Sequence, residues 1–121
     1  MKLQTIMDQD LGYNPSGKAA FHKAARHLLR EVVSQLGLSK SEFTIRSNEG
    51  GIAVSGDVTL HADSIYISIE QRFGGSDHYV LYRSCKGQRD YSGGCNNYMS
   101  VEDLESGDSV FRLQRVLQVA A

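Results

Sequence analysis

At 121 residues, with 40% hydrophobic and 22% charged content, the chain has the length and make-up of one globular domain that needs no covalent staple. A net charge of −1 excludes the broad positive field of a dedicated duplex-DNA binder, so any anion site must be local. The apolar runs are too short to span a bilayer and the first residues lack a charged-then-apolar signal pattern, which leaves a soluble cytoplasmic protein as the expectation.

Residues 1–13 read as an irregular lead-in with a weak apolar pattern of Leu3, Ile6 and Leu11. Asn14, Pro15 and Ser16 form a turn and an N-cap. Over 17–36 the apolar positions Phe21, Ala24, Ala25, Leu28, Leu29, Val32 and Leu36 recur every three or four residues. That spacing predicts an amphipathic helix, stopped by Gly37. Lys18, His22, Lys23, Arg26 and Arg30 occupy its opposite face, where the four cations read as solvated surface.

Beyond Gly37 the period drops to two. Phe43 and Ile45 alternate with Thr44 and Arg46, a turn follows at 48–51, and Ile52, Ala53 and Val54 begin a new strand. Gly56 and Asp57 break the pattern again before Val58 and Leu60. Ile65, Ile67 and Ile69 then face the core, leaving Tyr66, Ser68 and Glu70 on the other surface. A turn over 73–77 leads into a strand at 78–83. Strands this close predict an antiparallel meander, because a parallel pair needs a crossover of a dozen residues or more. Ser100 caps a short helical turn over 100–105. In a last helix over 110–119, Val110, Leu113, Leu117 and Ala120 share one face while Arg112 and Arg115 project elsewhere. The expected fold is α+β in a single domain over 1–121: an N-terminal amphipathic helix, an antiparallel sheet of four or five strands and a C-terminal helix, with both helices on one side of the sheet.

The chemistry concentrates in residues 81–98, where three cations, three tyrosines, three glycines and two adjacent asparagines fall within eighteen positions. Guanidinium groups and bent backbone suit phosphate, aromatic rings suit a base, and Asn amides read polar edges. Arg83, Arg89 and Arg112 are the candidates to neutralise phosphate. Tyr82 or Tyr91 would stack on base or ribose, and Asn96 or Asn97 would bond its polar edges. A long polar hairpin with solvated charges explains the same composition, although a connection of this length is often functional.

No catalytic or metal signature accompanies these residues. His22 and His27 lie five apart and point to different faces of their helix, while His61 and His78 have no acidic partner at motif spacing. There is no nucleophile elbow, Walker A loop or dinucleotide-binding glycine pattern. Asp57, Asp63, Glu70 and Asp77 flank turns. Cys85 and Cys95, with nine residues between them, match neither a metal site nor a redox pair and read as free thiols. The expectation is a protein with no catalytic residues, no metal and no cofactor.

The run Ile45-Arg46-Ser47-Asn48-Glu49-Gly50-Gly51-Ile52-Ala53-Val54-Ser55-Gly56, followed by Tyr82-Arg83-Ser84-Cys85-Lys86-Gly87-Gln88-Arg89-Asp90-Tyr91-Ser92-Gly93-Gly94 and Asn96-Asn97, resembles small accessory proteins of tailed phages. Among these it is similar to the Thoeris anti-defence family that sequesters cyclic ADP-ribose isomers. The resemblance implies a small α+β homo-oligomer in the cytoplasm of an infected bacterium, binding a signalling nucleotide without degrading it. It also implies that Tyr82, Asn96 or Asn97, and Arg112 hold the ligand. The expected partner is thus a small phosphorylated nucleotide, a cyclic ADP-ribose isomer or a cyclic oligonucleotide, with no membrane and no duplex DNA. The alternative is an inhibitor that binds a host immune protein, such as an anti-CRISPR, through its tyrosine- and arginine-rich surface. A nucleotide-processing enzyme ranks last.

Overall fold

The computed structural model describes residues 3–71, 79–91 and 94–120. Its longest element is α2 (Pro15–Leu36), preceded by a short α1 (Leu3–Met7). The Asn14 side chain accepts from the Gly17 N–H at 3.1 Å and Pro15 occupies the first helical turn, where a missing N–H costs nothing. Asn14, rather than Ser16, is therefore the cap. At the other end Gly37 adopts φ +71°, and the N–H groups of Gly37 and Leu38 close back on the carbonyls of Ser34 and Val33 at 3.2 and 3.1 Å.

A 3-10 turn (Lys40–Glu42) leads into five strands, β1 (Phe43–Asn48), β2 (Asp57–Ala62), β3 (Ile65–Glu70), β4 (Val80–Ser84) and β5 (Asn97–Met99). They lie in the order β1-β2-β3-β4-β5 with every neighbouring pair antiparallel, the expected meander. The helices α3 (Val101–Ser106) and α4 (Val110–Ala120) complete the chain. Among the described residues, no helix is long and apolar enough to cross a membrane.

Alternation decides the layers. Val58, Leu60, Ile65, Ile67, Ile69, Val80 and Met99 are buried on one sheet face, against Phe21, Ala25, Leu28, Leu29 and Val32 of α2 and Leu113 of α4. Each such Val, Leu, Ile, Met or Phe side chain contributes about 1.5–3 kcal/mol when fully buried. The helix α2 covers β1 and β2, while α4 covers β3 and β4. One face of the sheet is thereby roofed by helices, and the other is left to loops.

Four local expectations are corrected. The lead-in contains α1, whose Leu3, Ile6 and Met7 are buried and whose first N–H groups, on Leu3 and Gln4, each donate to the Glu105 carboxylate at 2.9 Å. A one-turn helix held by a distant carboxylate leaves almost no periodic trace. Ile52, Ala53 and Val54 are not a strand: Asn48 pairs directly with Asp57, so the intervening residues form the hairpin loop. That loop descends onto α2, where His22, expected on the face opposite the apolar stripe, is buried with Nε2 2.9 Å from the Ser55 carbonyl oxygen. The fifth strand is instead β5, which shortens the expected long connection after β4. The turn expected at 73–77, the strand start at His78, Ser92, Gly93 and the Ala120 side chain lie outside the described residues.

Candidate functional site

The register of β4 sorts the candidate residues before any other consideration. Tyr82 pairs with Ile67 and Asn97 and points to the helix-covered face, whereas Arg83 pairs with Tyr66 and points to the opposite one. Adjacent strand residues face opposite ways, so Tyr82 and Arg83 cannot serve one ligand from the same side.

On the covered face, a cavity of about 640 Å³ lies between α4 and the β4–β5 edge. Tyr82, Ser84, Gly94, Cys95 and Asn97 form one wall, and Arg112, Arg115 and Val116 form the other. The α4 residues sit at i, i+3 and i+4, which places them on one side of the helix, beside the stripe that buries Leu113. Tyr82 is 8% exposed, so its ring is fixed in the wall. Gly94 adopts φ +75° and packs on Ser84 so closely that a Cβ there would lie 2.6 Å from both the carbonyl and hydroxyl oxygens of Ser84. Only glycine lets the backbone hug the strand at this point. Asn97 Nδ2 donates to the carbonyls of Cys95 and Tyr82 at 3.1 and 3.4 Å, knitting the wall together. Arg112 has Asp103 3.8 Å away, but both side chains are about half exposed (54% and 49%), so the ion pair is weak and the guanidinium can engage an anion.

The structure thus brings Tyr82, Asn97 and Arg112 to one cavity and leaves the other candidates elsewhere. Asn96 and Arg89 are exposed outside the set that lines it. Arg83 and Tyr91 belong to a second cluster, on the opposite face. There the cross-strand row Thr44, His61, Tyr66, Arg83 is covered by the loop that follows β4. Tyr91 stands edge-on to His61 with ring centroids 4.9 Å apart, and its hydroxyl accepts from Arg46 Nη1 at 3.1 Å. Gln88 pins the same loop, accepting from Thr44 Oγ1 at 2.8 Å and donating to the Ser41 carbonyl and Asp63 Oδ1, both at 3.0 Å. The Arg83 guanidinium lies 4.5 Å above the Tyr66 ring and is 5% exposed. His61 and Arg83 are buried at the centre of this second cluster, while Tyr91 and Arg46 lie exposed at its rim.

His61 is the electrostatic centre of that second cluster. It is 0% exposed, and neither ring nitrogen has a hydrogen-bond partner among the described residues. Burial, followed by the positive charge of Arg46, holds its imidazole below the usual histidine range. Burial likewise pushes the Cys85 thiol up, and its Sγ donates to the Ala62 carbonyl at 3.3 Å. Cys85 is buried and Cys95 exposed, both as free thiols. Among the described residues, no three His, Cys, Asp or Glu side chains gather to hold a metal.

Sequence reasoning missed Ser84, Gly94, Cys95, Arg115 and Val116 as cavity residues. Two of them carried a usable signal: Arg115 is one helical turn from Arg112, and Ser84 is two strand positions from Tyr82. A scan against protein-family models and searches of curated proteins and of solved structures found no match to this chain.

Proposed function

We propose that the chain binds a small phosphorylated nucleotide in the cavity beneath α4 and holds it without converting it, as a counter-defence protein acting in the cytoplasm of an infected bacterium would. The observation that carries this reading is the meeting of two guanidinium groups, Arg112 and Arg115, with the Tyr82 ring and the Asn97 amide across one cavity. The volume of about 640 Å³ suits a ligand of that size. Guanidinium groups match phosphate oxygens in pairs, and a fixed aromatic ring offers a surface to a base or ribose. Among the described lining residues there is no His, Asp or Glu, so no general base stands beside Ser84 or Cys95. That composition favours retention over turnover.

The test is to incubate the protein with a panel of nucleotides, including cyclic ADP-ribose isomers and cyclic dinucleotides, desalt it, release bound molecules by heat and identify them by mass spectrometry. Intact release of one compound supports sequestration. A converted product, or no retention from any member of the panel, refutes it.

A second reading, an inhibitor that binds a protein of a bacterial immune complex, is favoured by Tyr13 and Ile52, which are 74% and 76% exposed and joined by a 2.7 Å bond from the Tyr13 N–H to the Ile52 carbonyl. Large side chains held out together in this way resemble interface anchors. A stoichiometric protein recovered from host lysate by wild type but not by Tyr13→Ala decides for this reading.

A further inference from the structure

His61 stands where a neutral imidazole is tolerated and a charged one is not. Its side chain is fully buried, and neither Nδ1 nor Nε2 has a hydrogen-bond partner among the described residues. Groups from three other strands and from the covering loop face it. Arg46 of β1 and Arg83 of β4 bring positive charge, while Tyr66 of β3 and Tyr91 of the loop present rings edge-on, with centroids 5.0 and 4.9 Å away. The loop backbone at Asp90 and Gly87 favours a proton on the ring, but burial and Arg46 outweigh it. The two carboxylates of this region are engaged elsewhere: Asp63 accepts from Gln88 Nε2 and Asp90 from the Lys86 N–H, each at 3.0 Å.

The cover over this histidine is held by polar bonds. Gln88 bonds to Thr44, Ser41 and Asp63, the Tyr91 hydroxyl accepts from Arg46, and Arg83 Nη2 donates to the Asp90 carbonyl at 3.5 Å. Lys86, Arg89 and Tyr91 are exposed. Water can replace such bonds at small net cost, so a loop held by them opens far more readily than an apolar core. Beneath it lies Cys85, which is buried, with Gly87, Asp90 and Arg83 around its thiol.

We propose that residues 85–91 form an acid-released latch, shut over a neutral His61 and lifted when that ring takes up a proton, so that Cys85 becomes accessible. The sign follows from the closed arrangement. Closure disfavours the imidazolium, first through burial and next through Arg46, so the ring binds its proton more weakly under the loop than in water. The latch is therefore fully shut above the ordinary imidazole value of about 6.5 and loses its hold as pH falls through the lower closed value. Lifting the loop returns water to the ring and frees the exposed Arg46 from Tyr91.

Cys85 is a built-in reporter, because Cys95 is the other of the two cysteines in the chain. In Cys95→Ser, the rate at which 4,4′-dithiodipyridine labels Cys85 is divided into the rate for the same protein unfolded in urea at the same pH, which gives its protection. Protection is expected to fall about tenfold between pH 7.5 and pH 5.5, matching the protonation of an open imidazole over that interval, with far-UV circular dichroism unchanged. Adding His61→Phe, which keeps a ring but cannot ionise, should make protection equal at the two pH values. His61→Gln should do the same and serves should the phenylalanine variant not fold. Gln88→Ala, which removes three of the loop's bonds, is expected to raise labelling at pH 7.5 by at least about tenfold. Protection in Cys95→Ser that does not change with pH overturns the proposal, as does an equal acid-induced fall in the foldable His61 variant. Unaltered labelling in Gln88→Ala shows that this loop does not guard Cys85 and refutes the latch. Labelling no faster than the global unfolding equilibrium allows, measured by urea titration at each pH, refutes a local opening.

Discussion

Gly94→Ala should be far more costly than its chemistry suggests, and comparison with Gly37→Ala isolates the reason. Both glycines adopt left-handed backbone, with φ +75° at Gly94 and +71° at Gly37. A side chain in that region costs about 1–2 kcal/mol wherever it occurs. At Gly37 an added Cβ would meet nothing within 4 Å, so only that cost applies. At Gly94 it would lie 2.6 Å from the Ser84 carbonyl oxygen and 3.1 Å from the Ser84 nitrogen. These are backbone atoms of a central pairing strand and cannot rotate aside. Relief requires moving the loop away from β4, which adds about 1–3 kcal/mol, the range for overpacked sites. For a chain of this length about 1 kcal/mol corresponds to roughly 4 °C in Tm. Thermal melts should therefore show Gly37→Ala lowered by about 4–8 °C and Gly94→Ala lowered by about 8–20 °C. Because Gly94 belongs to the cavity wall, its variant should also lose ligand retention, while Gly37→Ala keeps it. Equal melting temperatures in the two variants would falsify the close approach at Ser84.

Asn14→Ala removes the side chain that accepts from Gly17 and should destabilise the protein by about 1 kcal/mol, or roughly 4 °C, without altering retention of a bound nucleotide. Stability should also fall below neutral pH through His61. Its folded pKa is depressed, so the contribution is fully present above the ordinary imidazole value of about 6.5 and is lost as pH falls through the lower folded value. Urea midpoints at pH 7.5 and 5.5 should show this, and His61→Phe should flatten the dependence in that window; an unchanged slope in the variant would show that another group is responsible. Glu42, whose carboxyl is held below its usual range first by the Ser39 hydroxyl, acts lower on the scale, with its stabilisation lost only in acid. Arg115→Ala should weaken inorganic pyrophosphate binding about tenfold and reduce its salt dependence while moving Tm by less than about 2 °C, since the side chain is exposed.

Much of this fold can be read from residue order. The three- and four-residue spacing from Phe21 to Leu36, closed by Gly37, defines α2, and the alternation of Ile65, Ile67 and Ile69 assigns the buried face of β3. Such signals survive because a helix stripe and a strand face are repeated locally along the chain, and short connections then leave the meander as the economical pairing. Elements with only one turn or three residues carry no repetition. For that reason α1, which leans on Glu105, and β5, which leans on β4, are invisible, and the three apolar residues from Ile52 look like a strand although no strand pairs with them among the described residues.

The chemistry divides along the same line. Composition alone concentrates arginine, tyrosine and asparagine after β4, and the chain's net charge of −1 confines any anion site to a local patch. Which of those residues can meet is a tertiary matter. Strand alternation sends Tyr82 toward α4 and Arg83 away from it, and the loop carries Tyr91 over to His61 on the far face. Arg112 and Arg115, distant in sequence, arrive at the cavity only because α4 packs across β3 and β4. The sequence by itself determined the longer elements and the stock of functional groups, since both depend on local pattern. The tertiary structure alone decided which groups share a cavity, because that depends on the face each side chain takes and on contacts between residues far apart in the chain.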